Sequence, residues 1–234
     1  MIALADGDLI AYRNAASAEN EPLEICLSRV DSLIDTIMRE TSATEYMVAL
    51  SGETNFRYSI YPEYKSKRKN KPRPKWFPEA KQYLKDKYNA VESVNCEADD
   101  LLGIWQCTLG KDTIISTLDK DLRMIPGKHY SWEIRGTSKL GNEWIRHSEI
   151  AHVTTYEATM HFYRQLIIGD PVDGIKGIKG SGEKAADRIL SNLVNEQDML
   201  QAVREAYGND EEMLMNGKCL WIWRYENNIW SPNL

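Results

Sequence analysis

The chain has little that a membrane protein, a secreted precursor or a zinc protein would need. None of its 234 residues fall in a run of 18 consecutive apolar positions, so no segment reads as a membrane span. The opening MIALADGDLI carries an acid at Asp6 and no basic leader, and reads as a first strand rather than a signal peptide. The four cysteines, Cys26, Cys96, Cys107 and Cys219, form no C-x-x-C pair, which argues against a zinc site and for reduced thiols in a cytoplasmic setting. His129, His147, His152 and His161 are not spaced as zinc ligands either and read as structural. There is no internal repeat and no low-complexity tail. What remains is ordinary for a soluble globular chain: 42% hydrophobic and 27% charged residues, enough for one large or two small domains with a real core.

A net charge of −6 argues mildly against a nucleic-acid partner, but its distribution does not. Lys65, Lys67, Arg68, Lys69, Lys71, Arg73 and Lys75 follow one another with no acid between them. An acidic protein can still carry a local phosphate-binding surface, although a solvated basic loop is the plainer reading of such a run taken alone.

Periodicity predicts strands at 2–6, 45–50, 91–94 and 113–117, with helices between them at 8–16, 21–39 and 97–109. That alternation predicts an α/β domain with a mainly parallel sheet. Residues 129–146 read as a β excursion, with Trp132 and Trp144 alternating with polar residues. From Thr154 onward the pattern is helical, at 154–168, 181–193, 197–207 and roughly 211–223. This places a soft boundary near 150, with a sheet domain at 1–150 and a helical region at 151–234. The stretch 51–78, rich in charge and proline, has no apolar period and reads as a long functional loop.

Acids recur where the predicted strands end. Asp6 and Asp8 follow the first strand, Glu97, Asp99 and Asp100 open the helix after the third, and Asp119 and Asp121 follow the fourth. Asp170 and Asp173 end the long helix that starts at Thr154. Ligands of parallel α/β sheets bind outside the carboxyl ends of the strands, so the first three groups converge on one edge. The fourth reaches it if the helical region folds back. Carboxylates crowded this way repel one another and resist desolvation, which divalent cations resolve. Glu97 and Asp100, three residues apart, share a helix face, and Asp99 sits in a first turn that favours negative charge. Each acid singly also has a plainer reading as a cap or turn residue.

The segment GDPVDGIKGIKGSGEKAADRI, from Gly169, sets two of these acids beside glycines and lysines. Gly177, Gly180 and Gly182 let backbone N–H groups approach an anion. The following helix N-terminus adds partial positive charge, and Lys176, Lys179 and Lys184 add full charges. Such a device grips a nucleic-acid backbone without reading bases.

Residues 173–186, D-G-I-K-G-I-K-G-S-G-E-K-A-A, resemble the helix–hairpin–helix of the 5′ nuclease family, which includes flap endonucleases and the 5′–3′ exonuclease domains of bacterial polymerases. Asp6-Gly7 with Arg13, Glu97-Ala-Asp99-Asp100, Ser116-Thr-Leu-Asp119-Lys-Asp121 and Gly169-Asp170-x-x-Asp173 resemble further family motifs in the same order. Tyr64-Lys65 and Arg68 resemble the start of the family's helical arch. The resemblance implies a PIN-like domain with a short basic arch at about 52–90, and a helical DNA-binding region with the helix–hairpin–helix at about 154–193. It implies that Asp6, Glu97, Asp99, Asp100, Asp119, Asp121, Asp170 and Asp173 hold two Mg²⁺ or Mn²⁺ ions. Lys65 and Arg68 would contact the scissile phosphate, and Tyr64 would stack on a base near the 5′ end. Arg13 and Lys67 would touch DNA. Lys176, Lys179, Gly180, Gly182 and Lys184 would hold the duplex backbone, with a K⁺ ion at the hairpin.

The implied activity is metal-dependent hydrolysis of DNA near 5′ ends, flaps or nicks by a two-metal-ion mechanism, with RNA open as a further substrate and no membrane involved. One departure stands out. After the second strand, where the family usually has an Asp, this chain has Leu50-Ser51-Gly52. Ser51 either weakens one metal site or is compensated by Asp8. Three other readings compete: a non-catalytic DNA-binding module, a haloacid-dehalogenase-like phosphatase built on Asp6-x-Asp8, which leaves Glu97–Asp100 and the hairpin unexplained, and a metal-dependent ribonuclease of the same sheet architecture, which as a rule lacks the hairpin.

Overall fold

A computed structural model describes residues 1–68, 71–138 and 141–232. Lys69, one of the basic run, lies outside the described residues. The sheet domain opens with β1 (Ile2–Asp6), α1 (Gly7–Ser17), α2 (Leu23–Thr41) and β2 (Glu45–Leu50). It continues with α3 (Arg57–Ile60), α4 (Phe77–Tyr88), β3 (Val91–Glu92), α5 (Ala98–Leu109), β4 (Thr113–Ser116) and β5 (Gly127–Ser131). A hairpin of β6 (Ile134–Thr137) and β7 (Glu143–Arg146) precedes β8 (Glu149–Val153). Then come α6 (Thr155–Ile168), β9 (Gly169–Asp170), β10 (Ile175–Lys176), α7 (Glu183–Leu190), α8 (Glu196–Tyr207) and α9 (Asp210–Leu220).

The main sheet runs β3-β2-β1-β4-β5-β8, parallel throughout except for β8, which pairs antiparallel with β5. The expected mainly parallel α/β architecture is therefore present. Strand alternation divides the core between the two faces. Ala3 and Ala5 of β1, Val48 and Leu50 of β2 and Ile114 of β4 pack with α1, α2 and α4. Leu4, Ala49 and Ile115, their alternating neighbours, pack on the other face with α5, α6 and the helices that follow. This second cluster draws residues from both sides of position 150, from Leu4 to Trp230.

Local chemistry explains where the elements start and stop. α2 buries Cys26, Val30, Ile34 and Ile37 at helical spacing and ends at Ser42 in a left-handed conformation. Thr154 and Glu157 cap α6 reciprocally, with Thr154 Oγ1 accepting from the Glu157 N–H at 3.2 Å and Glu157 accepting from the Thr154 N–H at 2.8 Å. The stretch expected to be a loop contains the single-turn α3 and a 3₁₀ turn at Ser66–Arg68, and its last residues enter α4. The third strand is only two residues long, and the Ser93 N–H just beyond it completes the ladder to the Leu50 carbonyl at 2.8 Å. Among the described residues no helix is long and apolar enough to cross a membrane.

Candidate active site

Parallel register brings the acids to one edge. Asp6 is the last residue of β1, paired with Ala49 of β2, and Ala5 pairs with Ser116 at the end of β4. Asp6 Oδ1 caps α1 by accepting from the Leu9 N–H at 3.0 Å, and Oδ2 accepts from the Thr117 hydroxyl at 2.7 Å. Asp119 Oδ1 takes the Asp121 N–H at 2.9 Å. Asp170 Oδ1 takes the N–H groups of Val172 at 2.8 Å and Asp173 at 3.2 Å. The plain capping role and the pocket role thus coexist, because a carboxylate has more acceptor positions than one cap uses.

Charge gathers as a result. Burial, with Asp8 and Asp119 adding to it against two hydrogen bonds, pushes the Asp6 carboxyl up to about 7. Burial and then the charges of Asp119, Asp6 and Glu97 hold Asp99 well above the usual carboxylate range. Asp121 rises to about 6 through burial and the Asp119 charge, and Asp170 is a further neighbour. Burial also raises Asp173, against the pull of Lys65 and Arg68. The acids from β1, α5, the turn after β4 and the loop after α6 therefore share one field. The helical region folds back far enough for Asp170 and Asp173 to join it.

The arch supplies the counter-charge. The Lys65 ammonium donates to Glu97 Oε1 and lies 3.6 Å from Asp173 Oδ2, while an Arg68 Nη lies 2.5 Å from Asp173 Oδ1. Lys65 is itself held in place: its φ is 54°, in the left-handed region, and its backbone N–H donates to the Asp173 carbonyl at 2.9 Å. Burial raises Glu97, but Lys65 and Arg57 outweigh it and leave Glu97 below its usual value. Lys67, exposed, reaches the Pro171 carbonyl at 3.3 Å.

Two expected roles are corrected. Tyr64 presents no face to a base: the residue is 2% exposed, and its hydroxyl donates to Glu97 Oε2 at 2.9 Å and lies 3.2 Å from Asp173 Oδ2. Asp100 is fully buried, and both its oxygens are taken up by Arg57 and by the N–H groups of Glu97 and Trp223. Its place three residues after Glu97 puts it in the capping box of α5. Arg57, which secures it, was not legible in the sequence, because a buried arginine in a charged, aperiodic stretch looks like any solvated one. Arg13 sits on the exposed side of α1, where its charged neighbour is Arg146 of β7.

The β2 side differs in kind. Ser51 Oγ accepts from the Ala98 N–H at 3.0 Å, in the first turn of α5. Asp8 Oδ2 accepts from the Ser51 N–H at 2.8 Å, and its Oδ1 lies 3.1 Å from the Lys81 ammonium. Lys81 of α4 also donates to the Ser51 carbonyl at 2.8 Å.

Among the described residues, no three His, Cys, Asp or Glu side chains converge closely enough to hold a metal ion as they stand. Lys65 and Arg68 occupy the inner carboxylates instead. The donor chemistry nevertheless fits a hard divalent cation. All the candidate ligands are carboxylate oxygens, burial and neighbouring acids disfavour the ionised forms of Asp6 and Asp99, a cost a cation would relieve, and Asp121 Oδ1 is buried without a hydrogen-bond partner.

The glycine hairpin forms between α6 and α7. Gly169 and Gly177 press backbone against backbone, and a Cβ on Gly177 would overlap the Ile167 carbonyl and the Gly169 nitrogen. Gly180, at φ 76°, and Gly182, at the N-cap of α7, face open space, with Lys176, Lys179 and Lys184 exposed around them. Arg164 of α6 pairs with Glu183 and Asp187, which fixes α7 against α6.

Comparison with known proteins follows the same outline. The family model for the 5′-3′ exonuclease N-terminal resolvase-like domain matches residues 1–151. DNA polymerase I of Bacillus caldotenax is 27% identical over 221 residues, covering 88% of this chain and 25% of the polymerase. The chain thus spans about a quarter of the length of that relative. Flap endonuclease Xni of Shewanella baltica is 22% identical over 225 residues, covering 92% of this chain and 83% of the relative. The zinc-bound 5′-exonuclease of phage T5 superposes with a TM-score of 0.68 at 19% identity, covering 94% of this chain and 88% of that one. The phage T5 D15 flap endonuclease, solved with DNA and metal ions, gives 0.66 at 19% identity over 94% and 89% of the two chains.

Proposed function

The chain belongs to the family of the 5′-3′ exonuclease N-terminal resolvase-like domain, and on that premise we propose that it is a divalent-cation-dependent 5′ nuclease acting on DNA at or near 5′ ends, flaps or nicks. The observation that carries this reading is the shared field of acids from four separate parts of the chain at one sheet edge. Asp6, Glu97, Asp99, Asp119, Asp121, Asp170 and Asp173 would hold two Mg²⁺ or Mn²⁺ ions. When bound, such cations supply Lewis acidity toward water and the phosphate. Residues 1–150 then carry the chemistry and 151–234 the grip on DNA, with Asp170 and Asp173 reaching across. RNA as a further substrate, and a K⁺ ion at the hairpin, belong to the same proposal. The free thiols of Cys26, Cys96, Cys107 and Cys219 support a cytoplasmic setting.

The chain's own groups would do the following. Gly180, Gly182 and the α7 N-terminus approach the duplex backbone, with Lys176, Lys179 and Lys184 adding charge. Lys65 and Arg68 exchange their carboxylate partners for the scissile phosphate, where fixed positive charge favours the transition state over the ground state. Tyr64 keeps Glu97 and Asp173 in place from behind, and Lys67 and Arg13 reach DNA at the periphery.

End-labelled 5′-flap, nicked, blunt and single-stranded DNA, assayed with Mn²⁺ or EDTA, tests the reading. Cleavage is expected only with the cation. Asp119→Asn is expected to abolish cleavage while DNA affinity stays within a few-fold, roughly the effect of one peripheral charge. Binding without cutting by the native chain would favour the non-catalytic module, and hydrolysis of p-nitrophenyl phosphate alone would favour a phosphatase.

A further inference from the structure

Asp100 is buried with more partners than a helix cap needs. Arg57 donates to Asp100 Oδ2 at 2.6 Å and to Oδ1 at 2.9 Å. The same guanidinium donates through Nε to the Cys219 carbonyl at 2.8 Å and through Nη2 to the Trp221 carbonyl at 2.7 Å. Asp100 in turn accepts from the Trp223 N–H at 3.0 Å and the Glu97 N–H at 2.9 Å. One ion pair therefore joins α3, the first turn of α5, and the end of α9 with the segment after it.

That segment is fitted closely. Gly103 of α5 leaves room for the Trp223 carbonyl, and a Cβ there would overlap it. Gly217 leaves room in the same way for the Trp230 ring. Phe56, next to Arg57, stacks on Trp223 with ring centroids 4.9 Å apart. Stability alone is a poor account of a buried pair, since well-packed apolar residues often serve a fold as well or better. What the pair holds is more telling. Glu97, whose N–H it fixes and whose carboxylate lies 3.8 Å from Arg57, is the wall on which Tyr64 and Lys65 both rest.

We propose that Arg57 and Asp100 are a positioning pair: Asp100 holds no cation itself, but with Arg57 sets Glu97 against the pocket and makes the segment from Cys219 to Trp223 part of the active-site frame. The inference rests on the reading of that pocket as a cation site. It predicts that the pocket loses affinity when the pair is altered although every ligand assigned to the cations is left in place.

Calorimetric titration of Mn²⁺ into the full chain tests it, with melting followed in parallel. Arg57→Lys keeps the charge but loses the forked geometry. Arg57→Met with Asp100→Leu removes both charges, fills the space and keeps the test open if the lysine variant does not fold. Each is expected to bind Mn²⁺ about tenfold more weakly than the native chain at temperatures where it is fully folded, the loss typical of a group that orients a ligand. Variants that melt lower but bind Mn²⁺ like the native chain would reduce the pair to a structural one. Asp100→Asn losing Mn²⁺ as fully as Asp119→Asn, while Arg57→Lys binds normally, would make Asp100 a direct ligand. Equal binding by the native chain and Asp119→Asn would instead overturn the cation site, and this inference with it.

Discussion

At the scale of single residues, the arch lysine shows how one side chain can serve two partners. Lys65 neutralises Glu97 and Asp173, and these two acids outweigh the opposing effect of burial and raise its pKa, which favours the charged ammonium. Its backbone lies in the left-handed region and is tied to the Asp173 carbonyl, so the ammonium can move while the chain beneath it does not. Lys65→Ala removes the ammonium and leaves that anchor. Turnover at saturating DNA is expected to fall about 100-fold, the usual cost of a charge-stabilising donor, with the DNA dissociation constant little changed. Single-turnover rates beside binding isotherms separate the two, and an unaltered rate would remove Lys65 from the chemistry. The same scale explains the burial of Tyr64. The pairing Tyr64-Lys65 was legible, but whether a ring points outward depends on Glu97 and Asp173, acids 33 and 109 positions away.

At the scale of elements, the hairpin separates two uses of glycine that look alike in sequence. Gly177 is needed by the fold, because α6 and the β9–β10 ribbon meet backbone to backbone there. Gly182 faces open space and is at liberty to meet a ligand. Gly177→Ala is expected to cost about 1–3 kcal/mol, as overpacking does. Gly182→Ala should cost no more than about 1 kcal/mol, the scale of an N-cap change, yet weaken DNA binding. Denaturant melts and salt-dependent DNA titrations on both variants check this, and equal stability losses with unchanged binding would remove the hairpin from the DNA surface. Strands β1 and β2 and helix α6 were legible to within a residue, since their apolar periods and caps are local. The 51–78 stretch was not, because α3 is a single turn fixed by Arg57, whose partners are distant in sequence.

At the scale of the whole molecule, the acidic edge couples folding to pH and to cations. The convergence of Asp6, Asp99, Asp119 and Asp121 was legible from their positions after strands. That the oxygens of Asp100 are already taken up was not, since it depends on Arg57 and the final segment of the chain. Asp6 has a folded value of about 7 against 3.8 in the unfolded chain, so its contribution to stability is fully present below about pH 4 and lost as pH rises to about 7. Asp121, at about 6, acts in the same direction. His161 opposes them: burial and then Lys120, Arg123 and Arg164 hold it down at about 4, so the native state loses stability as pH falls from 6.5 toward 4. The slope measured in EDTA mixes these effects, and the increment from a cation isolates the acids, because a cation binds the ionised carboxylates and does not touch His161. Melting temperatures with Mn²⁺ minus those with EDTA should therefore increase steadily from pH 5 to pH 8. Asp6→Asn should flatten that increase by removing the acid whose ionisation falls in the middle of the range. A cation increment that is the same at both ends of the range would mean the acids are already ionised at pH 5, and the crowding on which the pocket depends would not exist in solution.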